Sequence, residues 1–154
     1  GVWSTLRWQM SGTQLTLDDI EHNMLRRNYA EPRIHFAVNC AAISCPPLKS
    51  EPYVDMRLER QLALATRDFL ASDNGIRVED DYLHVSRLFD WYGNDFVADY
   101  ANLVEVPGTV RDRAIAGIIA KYGPSAASQV AQSGRAQIRF LPYDWSLNDL
   151  PLSH

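Results

Sequence analysis

The sequence predicts an α+β domain, a small β-sheet packed with four or five helices. Three observations carry that expectation. Short runs with the period-2 alternation of strands sit at 5–10, 34–40 and 137–141, and a hairpin signal covers 76–85. Longer stretches with helical spacing and capping residues lie between them. No repeat, low-complexity tract or linker divides the chain, so residues 1–154 read as a single domain.

The bulk numbers exclude several classes. A chain of 154 residues is long enough to bury a core without staples. Its 46% apolar and 22% charged content is that of an ordinary globular domain. A net charge of -4 with no basic run gives no electrostatic reason to expect nucleic acid. No apolar stretch approaches the ~20 residues of a membrane span. The opening GVWSTLRW has no apolar signal-peptide core and reads as a mature or trimmed start. Two cysteines leave the redox compartment undecided.

Taken in order, Leu6, Trp8 and Met10 alternate with polar partners, and Ser11-Gly12 makes a turn. Thr16 caps a helix from Leu17 to about Tyr29, with Asp18 and Asp19 in the first turn where the helix dipole favours them. At 3.6 residues per turn, Leu17, Ile20, Met24 and Leu25 define its apolar face. Glu21 falls about 40° from the centre of that face and His22 at its edge. An acid there is costly unless paired, so Glu21 is expected to be buried and bonded to His35 or His22. Glu31-Pro32 ends this helix. Asp55 is expected to cap a second one reaching about Ala71, stopped by Ser72-Asp73-Asn74-Gly75. Asp80-Asp81 turns the hairpin. Ser86 caps an aromatic-rich helix bent near Gly93, and Thr109 caps another ending at Tyr122. Ser125 caps a short helix to about Gln132, and a strand at 137–141 follows.

The chemistry gathers in IHFAVNCAAISCPPL, residues 34–48. Ile34, Phe36 and Val38 alternate with His35, Ala37 and Asn39 as in a strand with two faces, and Cys40 continues the first face. Cys40 therefore reads as a small core residue. Cys45 precedes Pro46-Pro47 and is pushed out of the α region, onto a stiff turn past the strand end. His22, His35, Cys40 and Cys45 lie within a short span, with Glu21 beside them. One reading is a thiol nucleophile with an imidazole base and an orienting acid. Zinc suits two histidines and two cysteines in kind, but His22 and His35 do not have the usual zinc-site spacing, so no metal or other cofactor is expected. Asp90, among Phe89, Trp91, Tyr92, Phe96 and Tyr100, is a further candidate acid in a cluster expected to be core. His84 and His154 read as surface residues.

Three stretches, LTLDDIEHNMLR (15–26), RIHFAVNCAAISCPPL (33–48) and LPYDWSLND (141–149), together resemble the family named domain of unknown function 547, and LFDWYGNDF (88–96) fits it as well. The resemblance implies a domain frequent in bacteria and found also in plants; the compartment, bacterial cytoplasm or periplasm, is left undecided by the sequence. The bacterial form carries the IEH, HFA and SCPP elements, here Glu21, His22, His35 and Cys45. Family members usually have an upstream segment resembling a WINxYNA helix, to which nothing here corresponds. Another polypeptide segment or a symmetry copy is therefore expected to cover part of the apolar surface.

These readings converge on a thiol-dependent hydrolase or acyl transferase, with papain- or transglutaminase-like logic by analogy. Cys45 is the expected nucleophile, His35 the base, Glu21 the orienting acid and His22 the reserve base. The partner is a peptide or small-molecule substrate, attacked at an amide bond of a peptide or small thiol peptide. The alternative is a binding or scaffold domain with a buried Glu-His network. As a strand at ~3.3 Å per residue, His35 and Cys40 stand some 16 Å apart. The loop 41–44 must then fold back to bring Cys45 within about 4 Å of His35. Otherwise His22 is the base, or Cys45 and Cys40 form a disulfide.

Overall fold

The computed structural model describes residues 1–149; His154 lies outside them. The fold is α+β, with one sheet of two strands and one of three. After a helical turn α1 (Val2–Thr5), strands β1 (Trp8–Met10) and β2 (Thr13–Leu15) pair antiparallel. Ser11 and Gly12 turn the chain between them, with φ of 47° and 85°.

The helix expected from Leu17 to Tyr29 has those bounds but not the expected winding. Thr16 and Asp19 cap each other: the Thr16 amide and hydroxyl donate to Asp19 Oδ2 at 3.0 and 2.8 Å, and the Asp19 amide donates to Thr16 Oγ1 at 3.0 Å. Between Asp19 and Arg26 the backbone then runs as a π-helix, before α2 (Arg27–Tyr29) and a left-handed Ala30 with φ of 44°. A π-helix bonds residue i to i+5, so residues five apart stack on one face. The wheel drawn at 3.6 residues per turn therefore misplaces the side chains after Asp19.

The larger correction falls on residues 34–40, which form no strand. Pro32–Phe36 is a 3-10 helix followed by irregular chain. Pro32 sits at its first turn, where a fixed φ and a missing N–H cost nothing. The Glu31 carboxylate accepts from the Arg33 amide at 3.0 Å and starts the turn. All five residues are buried, so the alternation of Ile34 and Phe36 with His35 never separated a wet face from a dry one. Phe36 anchors the turn, with ring centroids 5.5–5.8 Å from Phe69, Phe89 and Phe96. Arg33, also buried, ties it outward through forked bonds to Glu31 and Glu59, and donates to the Tyr122 hydroxyl at 3.3 Å.

Helix α3 (Leu58–Leu70) follows a 3-10 turn over Asp55–Arg57. Asp55 makes no side-chain cap; Gln61 instead accepts from the Val54 amide at 2.9 Å and donates to the Pro52 carbonyl at 2.9 Å. Strands β3 (Ile76–Glu79) and β4 (Tyr82–Val85) form the expected hairpin, and β5 (Gln137–Phe140) adds parallel to β4, pairing Leu83 with Ile138. Helix α4 (Leu88–Tyr92) passes at Gly93 into a 3-10 turn (Gly93–Phe96) and then α5 (Val97–Tyr100), the bend expected at that glycine. Helix α6 (Val110–Tyr122) opens on a capping box between Thr109 and Asp112, and its Ile115, Ile118 and Ile119 fill the centre of the core. Helix α7 (Ser125–Gln132) packs on it. A Cβ on Gly117 would stand 2.1 Å from the Tyr100 carbonyl oxygen, so that position needs glycine for α5 and α6 to meet.

Phe36 is the residue through which the 3-10 turn joins this core. Phe36→Ala should lower stability by about 3–5 kcal/mol in urea denaturation, the usual cost of emptying a buried phenylalanine site. A loss under about 1 kcal/mol would mean that the turn is not held by the core.

Candidate active site

His35 is 1% exposed, and its position follows from its neighbours. With Phe36 fixed in the core, the next side chain back lies against Tyr92 and Phe96. The imidazole stacks on the Tyr92 ring at 4.0 Å and 10°. Its Nε2 lies 2.8 Å from Asp95 Oδ2, in the 3-10 turn that Gly93 opens. Asp95 is gripped from its other side by Arg26, whose Nε and Nη2 donate at 2.8 and 3.0 Å. The same guanidinium lies 4.9 Å above the Tyr92 ring. Tyr92 donates its hydroxyl to Glu21 Oε1 at 3.4 Å. The π-winding explains this grouping, since Glu21 and Arg26 are five residues apart and both reach Tyr92.

The charges in this cluster are legible. Burial alone would raise the Asp95 carboxyl, but the Arg26 and His35 hydrogen bonds outweigh it and hold it below the ordinary carboxylate range. Burial pushes the His35 imidazole below its ordinary value, against the opposing pull of the Asp95 bond. The pair is thus a carboxylate and a neutral imidazole. A carboxylate only accepts, so the imidazole proton lies on Nε2 and Nδ1 keeps its lone pair. Nδ1 is buried with no hydrogen-bond partner among the described residues. An imidazole held by an acid at one nitrogen, with a free lone pair at the other, is equipped to take a proton.

The thiols sit in a separately built loop. Asn39 clamps it, accepting from the Ala41 amide at 2.8 Å and donating to the Pro46 carbonyl at 2.7 Å. Ala41 takes a left-handed φ of 62°. Residues 41–44 pair with the chain after β5: the Ile43 amide donates to the Ser146 carbonyl at 2.9 Å, and the Asn148 amide to the Ala41 carbonyl at 2.7 Å. The loop does fold back, but onto Cys40. The Cys40 amide donates to Cys45 Sγ at 2.9 Å, and Cys40 Sγ lies 3.3 Å from the Tyr143 hydroxyl. The two cysteines thereby exchange the environments the sequence suggested. Cys45 is buried at 7% exposure, while Cys40 is half-buried on irregular chain and not on a core strand. Burial, and after it the hydrogen bond with Cys40, push the Cys45 thiol up to about 12.

The predicted residues are therefore only partly brought together. Glu21 is half-buried, and its partner is Tyr92, not an imidazole. His22 is exposed, with Nδ1 3.5 Å from Arg26. Asp90 pairs with Arg87 at 2.6 Å and lies 3.7 Å from Arg111. His84 is half-buried beside Glu79, not a free surface residue. Asp95, Arg26 and Tyr143 were not singled out, and Tyr92 was expected only as a core aromatic, although each lies inside a stretch quoted for the family resemblance. Among the described residues no three His, Cys, Asp or Glu side chains converge as a metal site, and no helix is long and apolar enough to cross a membrane.

The family described as "Protein of unknown function, DUF547" matches residues 2–70. Over that stretch the chain resembles DUF547. No curated protein and no solved structure matches it. The DUF547-like stretch holds Glu21, Arg26, His35, Cys40 and Cys45, whereas Asp95, Tyr92 and Tyr143 come from the chain beyond it.

Both members of the His35–Asp95 pair have depressed folded values, so each contributes stability that is present at neutral pH and lost as pH falls. His35 acts first, as pH drops below its ordinary 6.5, and Asp95 further down, below its ordinary 3.8. Urea midpoints measured from pH 7 to about 5 should therefore fall, and the fall should shrink in His35→Gln. Asp95→Asn should cost about 1–3 kcal/mol, because the amide has no charge and offers one acceptor oxygen where Arg26 and His35 use two. Unchanged midpoints in both experiments would contradict the pairing.

Proposed function

We propose that the domain is a thiol-dependent hydrolase or acyl transferase acting on an amide bond of a peptide or small thiol peptide. Cys45 is the nucleophile, His35 the general base, and Asp95, in place of Glu21, the acid that orients the imidazole. The observation that supports this reading is the His35 Nε2–Asp95 contact of 2.8 Å with Nδ1 left unpartnered. In the reaction, Nδ1 takes the thiol proton as Cys45 Sγ attacks the carbonyl carbon, and the Asp95 carboxylate stabilises the imidazolium. The imidazolium then gives that proton to the departing amine, leaving a thioester that water or an acceptor amine resolves. A thiol pushed up to about 12 rests protonated, so proton transfer must accompany attack. No hydrogen bond joins Cys45 to His35 at rest, so the sulfur must exchange the Cys40 amide for Nδ1. Glu21 acts through Tyr92, as a positioning residue, and His22 takes no direct part.

A second reading has its own observation. The burial of Cys45 favours a non-catalytic binding or scaffold domain, in which Glu21, Tyr92, Arg26, Asp95 and His35 are a structural polar network. A groove of about 610 Å³, lined by Leu25, Tyr29, Ile34, Val38, Leu58 and Leu62 among others, is where another polypeptide would cover apolar surface. A solution mass fixed at 17.5 kDa at every concentration would count against a second copy there.

The two readings separate in a screen of peptide amides against the parent, Cys45→Ser, Cys40→Ser and Asp95→Asn. The hydrolase reading expects turnover in the parent, its loss in Cys45→Ser, its retention in Cys40→Ser, and a drop of about 10²-fold or more in Asp95→Asn. Turnover lost only with Cys40, or no thiol-dependent turnover at all, would sink it.

A further inference from the structure

We infer that Cys40 and Cys45 are a redox-active pair that closes into a disulfide by exchange with a small-molecule disulfide, Cys40 being the thiol that meets it and Cys45 the resolving thiol. This goes beyond the hydrolase reading and does not depend on it. Three observations carry it. Cys45 Sγ rests 2.9 Å from the Cys40 amide nitrogen, which puts it within about 4.4 Å of the Cys40 Cα for an N–Cα bond of about 1.5 Å. Approach is thus already achieved by the loop that Asn39 clamps. The two thiols differ in access, Cys40 half-buried and Cys45 buried, as an attacking and a resolving thiol must. Finally, the Cys40 sulfur lies 3.3 Å from the Tyr143 hydroxyl. A rotation about its side chain exchanges that contact for the Cys45 sulfur.

The exchange balances in two steps. The Cys40 thiolate attacks one sulfur of the external disulfide, forming a mixed disulfide and expelling one small thiolate. Cys45 then attacks the Cys40 sulfur, the Cys40–Cys45 bond forms, and the second small thiolate leaves with the Cys45 proton. The protein loses two electrons and two protons, and the external disulfide is reduced to two thiols. Closure removes the sulfur from the Tyr143 hydroxyl and consumes both thiols of the chain.

Glutathione disulfide is the probe. The folded parent, incubated with it and read by intact mass and peptide mapping, should lose both free thiols to an internal disulfide without accumulating an adduct. Cys45→Ser should stop at one glutathione adduct on Cys40. Cys40→Ser should be modified far more slowly than Cys45→Ser while folded, because its remaining thiol is buried. The internal bond should form in higher yield from the folded parent than from the parent unfolded in urea. A folded parent that keeps both thiols, that accumulates the Cys40 adduct, or that closes no better than the unfolded chain would overturn the inference. So would a Cys40→Ser chain that takes up glutathione as fast as Cys45→Ser.

Discussion

One carboxylate couples the two halves of this chain. Asp95 comes from the bend after α4, yet its three shortest hydrogen bonds run to Arg26 and His35, more than fifty residues upstream. Burying an imidazole at 1% exposure is tolerable only if its N–H finds an acceptor, and Asp95 is that acceptor. The acceptor is itself charged and must be balanced, which is the work of Arg26. Removing Asp95 leaves the buried imidazole without an acceptor, whereas Arg26 and Asp95, each about 30% exposed, still reach water.

Two backbone irregularities make the arrangement reachable. The π-winding from Asp19 to Arg26 brings Glu21 and Arg26 to the same face, one to the Tyr92 hydroxyl and the other over its ring. An α-helix would have placed Glu21 over Leu25 instead, three to four residues on. The 3-10 bend at Gly93 turns Asp95 back toward His35 while Phe96 stays in the core. π-segments are found disproportionately where function demands an unusual side-chain alignment, which accords with the chemistry gathered here.

The sequence was informative where its signals are local. The hairpin at 76–85, the capped helix from Thr109 to Tyr122 and the bend at Gly93 were all readable, because turn residues, caps and a glycine act on their own neighbours. It misled at residues 34–40, where every side chain of the 3-10 turn is buried and alternation carries no face information. For the candidate site, His35 and the two cysteines were named by residue type alone. The carboxylate paired with His35 was not named, because nothing local distinguishes Asp95 from Asp90; the difference is which lies across from Arg26 after folding. The exposure of the two thiols was inverted for a similar reason: it depends on pairing of the loop 41–44 with residues beyond β5, about a hundred positions away.

The central claim is that His35 is a neutral imidazole, protonated on Nε2 by virtue of Asp95, with Nδ1 free. Nitrogen-detected NMR of the histidine rings through a pH titration tests it directly. The account predicts the Nε2–H tautomer for His35 at neutral pH and a titration midpoint below the ordinary 6.5, with the tautomer signature lost in Asp95→Asn. A ring that carries its proton on Nδ1, or one that titrates above 6.5, would contradict it.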